Sequence, residues 1–103
     1  MNIDEEIKIK IKDIIAKKLK EVGFVSKGKV VDKKRISEIS LIEPLEIDDS
    51  NVIHFKGTCE YTAIGEVSGC KRFEGTAILK ELQWKNSDIN VEIEFQDKAI
   101  LNL

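Results

Sequence analysis

Two neighbouring segments, 53–64 and 69–79, constrain the fold most, because apolar and polar residues alternate along both of them. Alternation with a period of two is typical of half-buried β-strands, and two such segments joined by a short loop predict an antiparallel hairpin. The register that places the most apolar side chains on one face pairs Phe55 with Leu79, Gly57 with Ala77, Cys59 with Gly75 and Tyr61 with Phe73.

In this register the small residues coincide, which predicts a trough between aromatic side chains on the inner face of the sheet. Lys18 lies within the apolar stripe of the predicted N-terminal helix, so we expect its ammonium group to reach the rim of the trough. A lysine beside a tyrosine hydroxyl is suited to a small anionic ligand. The predicted ligand-binding residues are Lys18, Gly57, Cys59, Tyr61 and Gly75.

Two simpler interpretations of the same residues stay open. The Lys18 side chain is long enough to pass its apolar neighbours and leave its ammonium group in water. Glycines in strands also mark a close approach of another backbone or a bend in a twisted sheet, so Gly57 and Gly75 fit either a helix crossing or an open pocket.

Residues 2–22 predict an amphipathic helix, because their apolar residues recur at helical spacing. Asn2 is a suitable N-terminal cap, and Gly23 suits the left-handed position that follows a last helical turn. From Gly23 onward the period is two, and turn residues occupy 48–51 and 85–88. The helical stripe consists of Ile3, Ile7, Ile11, Ile14, Ile15, Leu19 and Val22.

We therefore predict an α+β fold in which residues 1–103 form a single domain. One N-terminal helix packs across a curved antiparallel meander sheet of four to five strands. The order of elements resembles that of cystatin-like and nuclear-transport-factor-like folds, in which a curved sheet wraps a helix. This resemblance implies a layout alone, because folds of this kind host unrelated functions.

The outer face of such a sheet is open to water or to a partner. Ile78, Leu82 and Trp84 have the opposite parity to Phe73, which predicts that they lie together on this outer face. A β-bulge is expected near Leu79, where the apolar parity of the strand shifts. Exposed apolar patches of this kind usually bind a partner, so we predict a homodimer or contact with another protein.

The predicted function is accordingly that of a small non-enzymatic binding or interaction module. One alternative is a small-ligand-binding protein or minor enzyme that uses a pocket between helix and sheet, although no acid–base pair is evident. A further alternative is weak nucleic-acid binding by the basic segment 27–35, in a chain whose formal net charge is -2. No cofactor motif and no metal-ligand spacing is present in the sequence, so neither group is predicted.

The acidic start of the chain and its short apolar runs predict a cytoplasmic protein without membrane contact. In that compartment Cys59 and Cys70 are expected to be reduced thiols. A two-residue turn at 64–65 sets the two cysteines opposite one another, but it loses the apolar match of the preferred register. His54 is the only histidine, and its parity places it on the outer face.

Overall fold

A computed structural model describes residues 5–65 and 68–103, apart from the side chains at positions 43 and 44. The protein consists of one helix and one large sheet, which confirms the predicted α+β class. The elements in chain order are α1 (Glu5–Val22), β1 (Phe24–Ser26), β2 (Lys29–Val30), a 3-10 turn (Lys33–Arg35), β3 (Ile36–Ile47), β4 (Val52–Tyr61), β5 (Gly69–Lys85), β6 (Asp88–Glu94) and β7 (Ala99–Asn102).

The sheet corrects the prediction of an antiparallel meander of four to five strands. Its order is β2-β1-β7-β5-β4-β3, with β6 paired to β5, and the β1–β7 pair is parallel. Strands β3 to β6 do form a meander, but β7 returns to β5 and extends the sheet through β1. This is possible because β5 is 17 residues long, so β6 and β7 pair with successive parts of the same edge.

Helix α1 buries the predicted stripe against the inner face of the sheet. Ile11, Ile15 and Leu19 are fully buried, and a cluster of buried side chains lies between helix and sheet. The helix ends as predicted: Gly23 has a φ of 88°, and its N–H donates to the Leu19 carbonyl over 2.9 Å. The proposed cap at Asn2 and the stripe residue Ile3 lie outside the described residues.

The register between β4 and β5 differs from the predicted one. The sequence pairing of Phe55 with Leu79 is wrong, and so are the other three pairs predicted with it. The observed register is offset by an even number of residues, so each side chain keeps the predicted face. The structure pairs Phe55 with Gly75, Gly57 with Phe73, Cys59 with Lys71 and Tyr61 with Gly69.

The physical reason for this register is the packing of aromatic rings. Each phenylalanine lies opposite a glycine, which leaves the space above the glycine for the ring. The Phe55 and Phe73 ring centroids are 6.4 Å apart, and Phe73 also meets Phe24 of β1 at 5.2 Å. Phe95, which follows β6, meets the Phe55 ring at 5.9 Å. Edge-to-face packing of four rings thus outweighs the match of aliphatic side chains that the sequence alone favours.

Two irregularities interrupt the ladders of the sheet. The register of β3 against β4 shifts between Ile42 and Glu46, on either side of Pro44, and β3 is an edge strand. The register of β5 against β6 shifts between Leu79 and Glu81, which confirms the β-bulge expected near Leu79. This second shift decides which way the last part of β5 faces.

Candidate functional site

Phenylalanine rings occupy the space of the predicted trough. A methyl group added at Gly75 would lie 2.7 Å from the Phe55 ring. One added at Gly57 would collide with the Phe73 ring and with the Ser40 carbonyl oxygen. The two glycines therefore make room for rings on the opposite strand, and the small residues do not line up to leave an open channel.

Lys18 points to the edge of the sheet. Its ammonium group donates a hydrogen bond to the Ile93 carbonyl oxygen of β6, and its side chain is half-buried. Strand β6 pairs with β5 alone among the described residues. Lys18 thus joins helix and sheet by a charged hydrogen bond, and its part in ligand binding stays a prediction.

Cys59 shares the inner face with Gly57 and Gly75 and is only 1% exposed. Burial raises the pKa of the Cys59 thiol to about 11, and the nearby Cys70 adds to the shift. A thiol with this pKa stays protonated at neutral pH and is a weak nucleophile. Both cysteines are free, Cys70 being exposed on the outer face, so the expected separation of the two is observed.

Tyr61 lies apart from the other predicted ligand residues. It is half-buried at the end of β4 and borders a surface cleft of about 470 Å³ beside β2. Three basic side chains border the same cleft, and one of them is fixed by a hydrogen bond from Arg35 Nη1 to the Thr62 carbonyl oxygen over 3.3 Å. The basic residues are Lys27, Lys29 and Arg35.

The three predicted interface residues do not share a face. Ile78 lies opposite Glu94 on the outer face, before the bulge in β5. Beyond the bulge the parity of β5 reverses, so Leu82 and Trp84 lie opposite Val91 and Ile89 on the inner face. The sequence predicted the bulge but also predicted the outer face for all three residues, and the structure contradicts this for two of them.

The hairpin of β5 and β6 extends beyond the rest of the sheet. Strand β4 pairs with β5 as far as Ile78, and the N–H of Leu79 then donates to the Asn51 carbonyl over 2.8 Å. Within the described ranges, residues 80–85 have a strand neighbour on the β6 side alone. This extension, residues 80–92, is referred to as the arm.

The arm lies along the long axis of the molecule. A strand of 17 residues at about 3.3 Å per residue spans about 53 Å, close to the longest dimension of 49 Å. Trp84 is 58% exposed near its end, whereas Leu82 packs against the buried cluster. The arm therefore presents a large apolar side chain to water at one end of an elongated molecule.

The polar residues of the arm alternate with Leu82 and Trp84, and the sequence pattern alone does not identify them as part of a paired strand. They are Glu81, Gln83 and Lys85. The available signal is the turn at 85–88, in which Asn86 and Ser87 both adopt a positive φ. Such a two-residue turn requires paired strands up to its ends, so β5 has to continue to Lys85.

The one histidine contacts an acidic side chain on the outer face. His54 Nε2 lies 3.0 Å from Asp48 Oδ2, and both side chains are about half exposed. The hydrogen bond with His54 lowers the pKa of Asp48, and the backbone N–H groups of Val52 and Ser50 contribute to the same shift. Asp48 thereby fixes the turn between β3 and β4. The contact between His54 and Asp48 accordingly has a structural role.

No cluster of three or more histidine, cysteine or acidic side chains suited to a metal ion occurs in the described part of the chain. Among those same residues, no helix has both the length and the apolar character needed to cross a membrane.

Comparison with known proteins gives no match: no family model, no curated protein and no solved structure is similar to this chain. The suggested likeness to cystatin-like or nuclear-transport-factor-like folds therefore has no support from solved structures. Inferences about function depend on the residues and surfaces described above.

Proposed function

We propose that this protein is a small non-enzymatic interaction module that self-associates through the arm. The observation that supports this most is the exposure of Trp84, at 58%, on a hairpin that projects from the rest of the sheet. Tryptophan combines a large apolar surface with one hydrogen-bond donor, and it is enriched where proteins meet. The proposed contact surface thus keeps Trp84 and Leu82 from the sequence prediction and leaves out Ile78.

The arm has a second property that favours a partner. In the arm each strand has only one strand neighbour, and such a two-stranded ribbon gains stability from further strands. On its inner face Ile89 is buried and Leu82 and Val91 pack against the buried cluster, whereas Trp84 stays exposed. A second molecule placed against the arm removes the Trp84 ring from water and adds a neighbour to β5.

Replacement of Trp84 by serine tests this function. In sedimentation velocity at micromolar concentration we expect the wild type to form a dimer and Trp84→Ser to weaken it about thirtyfold, the effect of losing an interface residue worth about 2 kcal/mol. Ile64→Ser is the matched control, because Ile64 is also exposed, at 85%, but lies in the loop after β4. A wild type that stays monomeric at high concentration contradicts the proposal.

A second candidate is weak nucleic-acid binding at the cleft beside β2. Lys27, Lys29 and Arg35 supply positive charge to a surface that also carries the Tyr61 ring, a combination suited to phosphate groups and an unpaired base. Binding of a single-stranded oligonucleotide that weakens steeply with salt and with Lys27→Glu supports this candidate. The predicted pocket between helix and sheet has less support, because phenylalanine rings occupy its centre.

A further inference from the structure

The edges of the sheet differ in how they are protected against pairing with another strand. Strand β2 has only two residues, and β3 carries two register shifts and a positive φ at Glu38. Strand β6 contacts α1, and Lys18 donates to its Ile93 carbonyl. In the described part of the chain, the segment 81–85 of β5, which follows the bulge, is a regularly paired strand whose second edge has none of these features.

The direction of the backbone groups on this edge follows from the turn. Lys85 and Asp88 flank a two-residue turn, so they form the hydrogen-bonded pair that closes the hairpin. Hydrogen bonding alternates along an antiparallel ladder, and Gln83 and Glu81 therefore also bond to β6. The N–H and C=O groups of Leu82 and Trp84 consequently point away from β6, toward the open edge.

We propose that residues 81–85 of β5 pair antiparallel with the same residues of a second copy of this chain. The two-fold axis passes between the two Gln83 residues. Glu81 of one copy then faces Lys85 of the other, and Leu82 faces Trp84. This inference rests on the proposed self-association and specifies its geometry.

Hydrogen-bond and steric constraints exclude the registers shifted by one residue and the register with two more residues of overlap. In a register shifted by one residue, the N–H and C=O groups on the open edge of one copy lie opposite residues of the second copy whose N–H and C=O groups point to their own β6. These groups cannot bond to each other, so no ladder forms. A shift by two residues toward greater overlap places Asn86 of the second copy opposite Ile78, where Val52 already occupies the edge. In the proposed register Asn86 of the second copy reaches Lys80 and stops beside Asn51.

The charges on the outer face of the arm also fit this pairing. Glu81 lies directly opposite Glu92 of β6, and two facing carboxylates repel each other. Lys85 from the second copy would lie on the other side of Glu81 and offset this repulsion, once at each end of the two-fold pair. Charged side chains on an edge strand usually prevent pairing with another strand. Here, antiparallel pairing of two copies brings opposite charges, Glu81 and Lys85, together.

The resulting sheet is continuous through both molecules, in the order β6-β5-β5-β6. Each two-stranded arm becomes part of a four-stranded sheet. Leu82 and Trp84 form two cross-strand apolar pairs on the inner face, and four backbone hydrogen bonds join the copies through these same residues. The exposed Trp84 thereby gains an apolar neighbour from the second molecule.

Disulfide trapping tests the register. In the proposed dimer the two Gln83 residues form a non-hydrogen-bonded pair, whose Cα atoms are about 4.5 Å apart and within reach of a disulfide. In a Cys70→Ser background, Gln83→Cys is expected to give a disulfide-linked dimer under mild oxidation. Asn90→Cys is the matched control, since it lies opposite Gln83 on the same face but one strand further from the axis. Equal cross-linking of the two variants overturns the register.

A charge exchange gives an independent readout. Glu81→Lys is expected to raise the dissociation constant of the dimer about tenfold, because two attractive pairs become repulsive. The same change removes the repulsion with Glu92 within one molecule, and urea unfolding of the monomer checks that its stability is kept. Adding Lys85→Glu restores opposite charges between the copies but sets a carboxylate opposite Asp88 in the same hairpin, so we expect the double variant to associate more tightly than Glu81→Lys without reaching the wild type. A double variant that is weaker than Glu81→Lys contradicts the pairing.

These outcomes separate the two proposals. A wild-type monomer overturns both the self-association and its geometry. A dimer that is weakened by Trp84→Ser but is neither trapped through Gln83→Cys nor rescued by the charge exchange overturns the edge pairing and leaves the interaction module standing.

Discussion

At the residue scale, packing in the core requires a glycine opposite each of two phenylalanines, on the neighbouring strand. Phe73 covers Gly57 and Phe55 covers Gly75, and both rings belong to a chain of edge-to-face contacts. The glycines act through the volume that they leave free, since neither has a positive φ. Their role is therefore sensitive to a single added methyl group.

Gly57→Ala is expected to destabilise the protein by about 2 kcal/mol, because the new methyl group has to displace the Phe73 ring and collides with the Ser40 carbonyl. The free energy of unfolding is measured by urea denaturation, with the dependence on urea concentration (the m-value) expected to stay unchanged. Gly69→Ala is the control, since this strand glycine has no atom closer than 4.0 Å to an added Cβ, and we expect a change within about 0.5 kcal/mol. Equal effects of both changes contradict the packing account.

At the scale of elements, the sequence predicts the period of each segment well and the relation between segments less well. The helix and the turns at 48–51 and 85–88 follow from local patterns and turn residues, which act over a few positions. The register of β4 against β5 does not, because it depends on rings from β1 and from the segment after β6 that are distant in sequence.

The candidate site shows the same limit. The bulge after Leu79 is predictable from a shift in apolar parity, but the face that Trp84 takes depends on how many residues the bulge adds to the ladder. Lys18 lies within the apolar stripe of the helix, which the sequence shows. Its partner is a backbone carbonyl in β6, and no side-chain pattern identifies such a partner.

Lys18→Met tests whether this hydrogen bond joins α1 to the sheet. Methionine keeps an apolar stem of similar length, so the change removes mainly the donor to the Ile93 carbonyl, and we expect a loss of about 1 kcal/mol in urea unfolding. Lys17→Met is the control: Lys17 is 76% exposed and pairs with Asp13 on the helix surface, where the expected loss is below about 0.5 kcal/mol. A loss of anion binding without a loss of stability would instead support the predicted ligand site.

At the scale of the whole molecule, the buried cluster and the arm have different roles. Helix α1 and the sheet enclose the buried side chains, including Ile89 of the arm, whereas the end of the arm continues the sheet beyond β4 along the long axis and exposes Trp84. Pairing of two arms therefore joins the molecules end to end, and a pairing of two broad sheet faces would join them side by side. The two modes of association differ in overall length by an amount that scattering resolves.

Small-angle X-ray scattering of the wild type is expected to show a particle about 80 Å long, since two molecules of 49 Å overlap by about 17 Å of paired strand. In a dilution series, the Glu81→Lys variant is expected to shorten toward the 49 Å of the single molecule at about tenfold higher concentration than the wild type, because the facing charges of its arms repel. A dimer whose longest dimension stays near that of one molecule requires contact along the sheet faces. That result would direct attention to Ile78 and the outer face, where the arms take no part in association.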